Sequence, residues 1–125
     1  MFTFDKSERL CSQKQIDILF RKGERMMVFP YSVTWRKCDA DEIPARAQVL
    51  IATSKKKFHH AVDRNRVKRL TRECYRLHKP ALYQLLESHD TKLIISINYI
   101  HTEIMDYHVL YKKFDKILAQ LEKNL

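Results

Sequence analysis

The sequence predicts an α+β fold with three helices and an antiparallel or mixed sheet of three to four strands, in the order α-β-β-(β)-α-β-α. Three segments have hydrophobic residues at the helical period, two alternate with a period of two, and one further segment is almost entirely apolar. The 125 residues include a single glycine, Gly23. Because glycine-rich phosphate loops need several residues without a Cβ, dinucleotide-binding and P-loop proteins are excluded.

The first helix is predicted from Ser12 to Lys22. It begins with Ser12-Gln13-Lys14-Gln15, which fits a capping box: the serine hydroxyl would accept the backbone N–H of Gln15, and the Gln15 side chain would reach back. Gly23 follows the last residues, as is common where a helix ends. The apolar residues on one face are Ile16, Leu19 and Phe20.

Three segments have the pattern of strands. Met26 to Arg36 alternates and is expected to form one half-buried strand, with Pro30 at an edge or a bulge. Arg46 to Thr53 alternates in the same way. Leu93 to Ile100 is nearly all apolar, which is typical of a central strand. A short additional strand would fit near Thr53–Lys57, although the pattern does not establish it.

Two further helices complete what we expect to be a single domain, residues 1–125. One runs from about Ala61 to His78, and Pro80 is expected to stop it. The other is amphipathic and reaches the C-terminus, with Asp106 as its candidate N-cap.

Positive charge is concentrated in one fifth of the chain. The whole sequence has 24 basic and 15 acidic residues, a net charge of +9 and a pI near 9.6. The segment from Lys55 to Lys79 has ten basic and two acidic residues, a net charge of +8. A solubilising surface mixes both signs, whereas a concentrated cationic patch is typical of proteins that bind a polyanion.

Within the second predicted helix, basic and apolar residues lie on opposite faces at 100° per residue. The planar arginine guanidinium binds phosphate oxygens in a bidentate manner. Lys55-Lys56-Lys57 precedes the helix N-terminus, where free N–H groups and the helix dipole also favour anions. The apolar face, expected to pack on the sheet, consists of Val67, Leu70, Cys74 and Leu77. The basic face consists of Arg64, Asn65, Lys68, Arg69, Arg72 and Arg76.

These features predict a nucleic-acid-binding protein without deciding the kind of nucleic acid. The helix could enter a DNA major groove or lie on the backbone of folded RNA. The polar alternate face of the sheet could line a groove for a single strand, with Phe20 as a stacking platform, although periodicity alone favours Phe20 in the core. The residues of that face are Ser32, Thr34, Ala52 and Ser54.

Other classes of function are less well supported. The N-terminus MFTFDKSERL lacks the apolar region of a signal peptide, and no apolar stretch is long enough to span a bilayer. Three widely spaced cysteines fit neither a disulfide framework nor a zinc site, so we expect a reduced, cytoplasmic protein. His59-His60 has no further ligand at metal spacing, and no active site is expected in the protein itself. A membrane-surface role is disfavoured because the basic helix uses its apolar face against the sheet.

The region from Thr53 to Glu73 resembles the signature of the bacterial ribonuclease P protein subunit. Thr53-Ser54-Lys55-Lys56-Lys57 matches an SKK-type segment of that family. Ala61-Val62-Asp63-Arg64-Asn65-Arg66-Val67-Lys68-Arg69-Leu70-Thr71-Arg72-Glu73 matches the pattern AVxRNRxKRxxRE. Chain length, basicity and element order agree as well, so the resemblance covers essentially the whole chain.

The resemblance implies an α/β sandwich with a left-handed βαβ crossover, which the usual right-handed rule would not have predicted. In that family the protein binds a catalytic RNA and the 5′ leader of precursor tRNA, while the RNA holds the catalytic Mg²⁺ ions and cuts off the leader. The alternative is a general structured-RNA- or ribosome-binding protein without a role in cleavage. Expected contacts to the catalytic RNA are Lys55, Lys56, Lys57, Arg64, Asn65, Arg66, Lys68, Arg69, Arg72 and Arg76. Expected contacts to the leader are Ile16, Phe20, Ser32, Thr34, Ala52 and Ser54.

The chain departs from the family pattern in the region expected to hold the leader. Ile16 stands where the family often has a second aromatic residue, one turn before Phe20. Thr34 stands where the first strand commonly has a tyrosine. The loop Lys57-Phe58-His59-His60 lacks the usual glycine and is one residue longer.

Overall fold

The computed structural model describes residues 6–39, 41–54 and 56–125 of the chain. A short 3₁₀ turn at Lys6–Glu8 precedes the regular elements. In chain order these are α1 (Gln13–Lys22), β1 (Glu24–Val28), β2 (Tyr31–Cys38), β3 (Ala47–Thr53), α2 (Ala61–Ser88), β4 (Lys92–Tyr99) and α3 (Tyr107–Asn124).

The four strands form one mixed sheet in the order β1-β2-β4-β3. β2 pairs antiparallel with β1 and with β4, whereas β3 and β4 run parallel and are connected through α2. The nearly all-apolar β4 is central, as predicted, because both of its edges are paired. The predicted α+β class and element order are confirmed, and the left hand of the β3-α2-β4 crossover stays a prediction.

The segment predicted as one strand from Met26 to Arg36 is two strands, so this part of the prediction was wrong. Val28 pairs with Tyr31 across a two-residue turn, and the Phe29–Pro30 peptide bond in that turn is cis. The alternation of apolar residues continues across the turn, and for this reason a period of two did not reveal it. This hairpin supplies the fourth strand, and β3 ends at Thr53.

The second predicted boundary that was wrong is the end of α2, which continues through Pro80 to Ser88. Pro80 lies on the exposed side of the helix, where its ring meets solvent. The helix beyond it is anchored by the buried side chains of Leu82 and Leu86. Just before the proline, the buried Lys79 ammonium lies 2.8 Å from the Glu8 carboxylate of the 3₁₀ turn. Tertiary packing therefore outweighs the loss of one helical hydrogen bond.

The ends of the helices follow the predicted caps with one exception. The Ser12 hydroxyl accepts the Gln15 N–H at 3.3 Å, and the Asp106 carboxylate accepts an N–H in the first turn of α3. The Gln15 side chain does not complete a capping box, because its carbonyl oxygen accepts a hydrogen bond from Arg36 Nη2 at 2.6 Å. That bond fastens α1 to β2 instead.

Two hydrophobic cores lie on opposite faces of the sheet. α2 and α3 cover one face, over a large core that includes Tyr31, Val33, Trp35 and the predicted core residue Cys74. α1 covers part of the other face, over a smaller core that includes Leu19. Since α1 is only ten residues long, no α-helix of the described residues covers the remainder of that face, although Leu10 of the N-terminal segment packs into the smaller core.

Candidate nucleic-acid interface

The N-terminal half of α2 presents its basic residues to solvent. Val67 and Thr71 are buried against the sheet, as an inward face requires. The exposed face is rotated relative to the predicted one, so that Arg66 lies fully on it while Arg64, Lys68 and Arg76 are half-buried. The exposed polar and basic residues are Asn65, Arg66, Arg69 and Arg72.

Arg64 is committed to the loop that leads into α2. Its Nη1 donates to the backbone carbonyls of Phe58 at 2.7 Å and His59 at 3.0 Å. Phe58 in turn is buried and packs on the Tyr99 ring, with the ring centroids 6.0 Å apart. Arg64 therefore positions the start of α2 against the end of the sheet, and only part of its guanidinium is left to face a ligand.

Arg76 is neutralised by a neighbour on the same helix. Its Nε and Nη2 contact the two Glu73 carboxylate oxygens at 2.9 and 2.6 Å, in a bidentate pair. The hydrogen bond from Arg76 lowers the pKa of Glu73. A phosphate would have to compete with this carboxylate, so Arg76 is the weakest of the predicted contacts.

Four cations on α2 form no hydrogen bond or ion pair with any other part of the chain that the structure describes. Their guanidinium and ammonium groups are available to phosphate oxygens; three of the four residues are exposed, and Lys68 is half-buried. We call this set the cationic strip. It consists of Arg66, Lys68, Arg69 and Arg72.

The lysines before α2 lie in the turn that follows β3. Lys56 and Lys57 are exposed, and Lys55 lies outside the described residues. The Ser54 hydroxyl accepts the backbone N–H of Lys56 at 3.0 Å, so it holds the turn. Its backbone carbonyl accepts from Phe58 at 3.1 Å.

The sheet brings the predicted groove residues into register on the face that α1 partly covers. Thr34 and Leu50 both lie opposite Ser96 of β4. One step further along, a second row is formed by Ser32, Asn98 and Ala52. Ser32, Asn98 and Ala52 are half-buried, so the second row is open to a ligand, whereas Thr34 is buried.

α1 divides the predicted leader contacts into accessible and covered ones. Phe20 is 44% exposed, so the expectation from periodicity that it belongs to the core was wrong. Ile16, one turn earlier, packs on the smaller core. Thr34 lies under the end of α1, because a Cβ on Gly23 would be 3.0 Å from its methyl carbon. Thr34 is therefore covered, whereas Ile16 is half-buried and stays a predicted leader contact.

Sequence reasoning missed four residues that share this face. Ser96 and Asn98 are the two polar positions within the apolar run that follows Lys92 in β4, and their spacing of two was a signal that could have identified them. Arg25 and Met27 lie opposite Thr34 and Ser32. They were missed because the hairpin was not predicted.

The strip and the groove meet at the edge strand β3. A cleft of about 190 Å³ there is lined by Arg72 of the strip, by Val49, Leu50 and Ile51 of β3, and by Arg9, Leu10 and Cys11. Leu50 lies in the same row as Thr34 and Ser96, on the sheet face that α1 partly covers. The N-terminal segment runs along the same edge of β3, where the Leu10 N–H donates to the Val49 carbonyl at 2.9 Å, so the cleft also borders this segment.

The described part of the chain contains no group of three or more histidine, cysteine or acidic side chains placed to hold a metal ion. His59 and His60 are exposed in the loop before α2. Among residues 6–39, 41–54 and 56–125, no helix has the length and apolarity to cross a membrane.

The fold and the cationic helix define a class: small basic α+β proteins with one parallel strand pair joined by an arginine-rich helix. The family model for Ribonuclease P matches residues 4–122. The ribonuclease P protein component of Porphyromonas gingivalis is 33% identical over 124 residues, which cover 99% of this chain and 90% of the relative.

Two solved structures have a similar fold. The RNase P protein of Staphylococcus aureus superposes with a TM-score of 0.70 at 23% identity, covering 93% of this chain and 96% of that protein. The RNase P protein of Thermotoga maritima gives a TM-score of 0.70 at 21% identity, covering 90% and 96%. The chain therefore belongs to the family of bacterial ribonuclease P protein components. As such it is a subunit of ribonuclease P, an endoribonuclease of tRNA processing.

Proposed function

We propose that the cationic strip on α2 binds the catalytic RNA of ribonuclease P, and that the face between α1 and the sheet binds the 5′ leader of precursor tRNA. The protein would then assist removal of the leader, while the RNA carries out the chemistry. Membership of the family supports the association with RNA. The contacts of individual residues are our inference from the geometry.

One observation carries the proposal: four cations that have no partner among the described residues share one face of α2 and adjoin an open, polar sheet face. Folded proteins pair buried charges and mix the signs of surface charges. A run of unpaired arginine and lysine is what a phosphate backbone selects, because each contact releases condensed counterions. Asn65, exposed among the cations, adds a directional donor and acceptor for a sugar or a base.

The sheet face proposed to bind the leader, which we call the leader face, differs in its chemistry from the cationic strip. Ser32, Asn98 and Ala52 offer small and polar groups with little charge, and Phe20 offers an exposed ring at its border. Aromatic stacking combined with polar contacts suits unpaired bases, whose edges are free. A single-stranded leader therefore fits this face better than a duplex.

The catalytic Mg²⁺ ions belong, in this proposal, to the RNA. All four members of the cationic strip carry positive charge, so the strip itself offers no carboxylate ligand for a metal ion. The strip would lower the electrostatic cost of bringing two RNA molecules together, which otherwise requires screening by divalent cations. We place this function in the cytoplasm, where tRNA precursors and the catalytic RNA would both be present.

The proposal is tested by cleavage of precursor tRNA with a bacterial ribonuclease P RNA at low Mg²⁺, with and without this protein. We expect activity that needs both components. A matched pair of variants, Asn65→Ala and Gln84→Ala, changes an exposed polar residue next to the cationic strip and one far from it on the same helix. Asn65→Ala should lower holoenzyme activity while leaving the salt dependence of binding unchanged, and Gln84→Ala should change neither.

Two results would contradict the proposal. If the protein binds structured RNA tightly and with salt sensitivity but does not stimulate cleavage, it acts as a general RNA-binding protein. Cleavage by the protein alone would mean that an active site exists in the chain.

A further inference from the structure

Two large side chains are exposed at the end of the sheet furthest from α1. Met27 of β1 is 57% exposed, and Phe29 in the following turn is 49% exposed. The Phe29 ring contacts the His101 ring, with centroids 5.0 Å apart and planes tilted by 56°. A chain that buries most of its aromatic side chains has left this pair at the surface.

The register places this pair in continuity with the proposed leader face. Met27 lies opposite Ser32 and so extends the row that contains Asn98 and Ala52. Phe29 follows two residues after Met27, in the turn that ends β1, so it lies at the end of the sheet next to that row. The backbone N–H of Ile100 donates to the Pro30 carbonyl at 2.9 Å. This bond continues the β2–β4 ladder beyond the strands and brings His101 beside Phe29.

The charge around the face favours an anionic occupant. None of the side chains in the two rows is acidic, and Arg25 lies in the row nearer α1. The last turn of α1 ends with Arg21 and Lys22. An apolar protein partner would leave these cations unpaired, whereas single-stranded RNA can place its phosphates on the cations and stack its bases on the rings.

We propose that Phe29 and His101 form a second stacking platform for a base of single-stranded RNA. The leader would then lie across the face between this platform and Phe20. The inference rests on the proposed leader-binding function and adds a subsite to it. Ile16 and Thr34 carry no ring, and Phe29 presents an exposed one at the other end of the sheet.

Phe29→Leu removes the aromatic face and keeps an apolar side chain, and Phe29→Tyr keeps the ring. His101→Ala tests the other half of the pair. Val109→Ala serves as control, because Val109 is a similarly exposed apolar residue, 38% accessible, on α3. Each variant is assembled into the holoenzyme with ribonuclease P RNA, and its unfolding midpoint is compared with that of the wild type.

Binding is measured for precursor tRNA with a leader that can cross the face and for precursor tRNA with a single-nucleotide leader. Stacking of one base corresponds to between about 5-fold and 150-fold in affinity. We expect Phe29→Leu and His101→Ala to weaken binding of the long leader within this range and to leave the short leader unchanged. 2-Aminopurine placed at successive leader positions should be quenched at one position by the wild type and by Phe29→Tyr, and less by Phe29→Leu.

The outcomes separate the platform from the leader function. If the wild type prefers the long leader but Phe29→Leu binds it equally well with unchanged quenching, the platform is wrong and leader binding stands. Equal weakening of both substrates would show that Phe29 acts through the fold or through the catalytic RNA, which also overturns the platform. If the wild type does not distinguish the two leaders, both the platform and the leader function are wrong.

Discussion

Arg69 and Arg76 occupy the same helix two turns apart, yet their surroundings predict different roles in RNA binding. Arg69 is exposed and has no partner among the described residues, whereas Arg76 forms a bidentate pair with Glu73. Arg69→Gln removes one unpaired cation. The double variant Glu73→Gln/Arg76→Gln removes a matched ion pair and leaves the net charge at +9. Comparing the two variants separates the effect of losing an unpaired cation from the effect of losing an arginine.

The expected magnitude follows from counterion release. Each neutralised phosphate contributes about 0.7 to 0.9 to the slope of log K against log salt. If all four members of the cationic strip contact phosphates, they contribute a slope of about −3 to −4. Arg69→Gln should reduce the slope by about 0.7 to 0.9, which corresponds to roughly a threefold smaller change in affinity between 50 and 200 mM salt. The double variant should leave the slope within error of the wild type.

The assay is equilibrium binding of the labelled protein to ribonuclease P RNA across that salt range at constant Mg²⁺. Equal loss of slope in both variants would refute the reasoning, since it would show that Arg76 leaves Glu73 to contact phosphate. An unchanged slope in Arg69→Gln would remove Arg69 from the interface. Unfolding midpoints of both variants exclude a loss of folded protein.

Three further predictions concern the fold. Gly23→Ala should destabilise the protein by about 1 to 3 kcal/mol in urea unfolding, because the new Cβ would clash with the Leu19 carbonyl oxygen; an unchanged midpoint would show that the end of α1 adjusts freely. Lys79→Met should cost about 3 to 5 kcal/mol, since the buried Glu8 carboxylate loses its cation and keeps the hydrogen bond from the Tyr83 hydroxyl, and adding Glu8→Gln should recover part of that loss; simple additivity would argue against the pair. At pH 8 a thiol reagent should label one cysteine of the native protein, the exposed Cys11, and three after unfolding; rapid labelling of a second thiol in the native state would contradict the burial. Burial raises the pKa of the two protected thiols, Cys38 to about 11 and Cys74 to about 12.

The elements with a strong local signal were predictable. The period of 3.6 and the serine cap located α1, and the apolar run located β4 at the centre of the sheet. The basic face of α2 followed from charge and spacing alone. In each case the residues that determine the element lie within the element itself, so no knowledge of the tertiary structure was needed.

The wrong boundaries depended on contacts between distant residues. Pro80 would end an isolated helix, but α2 continues because Lys79 pairs with Glu8, 71 residues earlier in the chain. Gln15 could have closed the capping box, but Arg36 of β2 takes its side chain. The same limitation affects the predicted interface: charge predicted Arg64 and Arg76 as RNA contacts, and only the structure shows their carbonyl and carboxylate partners.

The one parallel strand pair explains why a cationic helix and a polar sheet face adjoin in this fold. A parallel connection needs a crossover, so α2 must start where β3 ends and return to place β4 beside it. β3 is left as an edge strand, with the strip residue Arg72 on one side of its cleft and the groove residue Leu50 in the same cleft. Arg64 fixes the turn between them by holding the Phe58 and His59 carbonyls. The relative position of the two proposed RNA-binding surfaces is thus set by the backbone topology and by this turn, which is anchored by the buried Phe58 side chain. A change in the turn should shift the leader relative to the catalytic RNA without altering either surface.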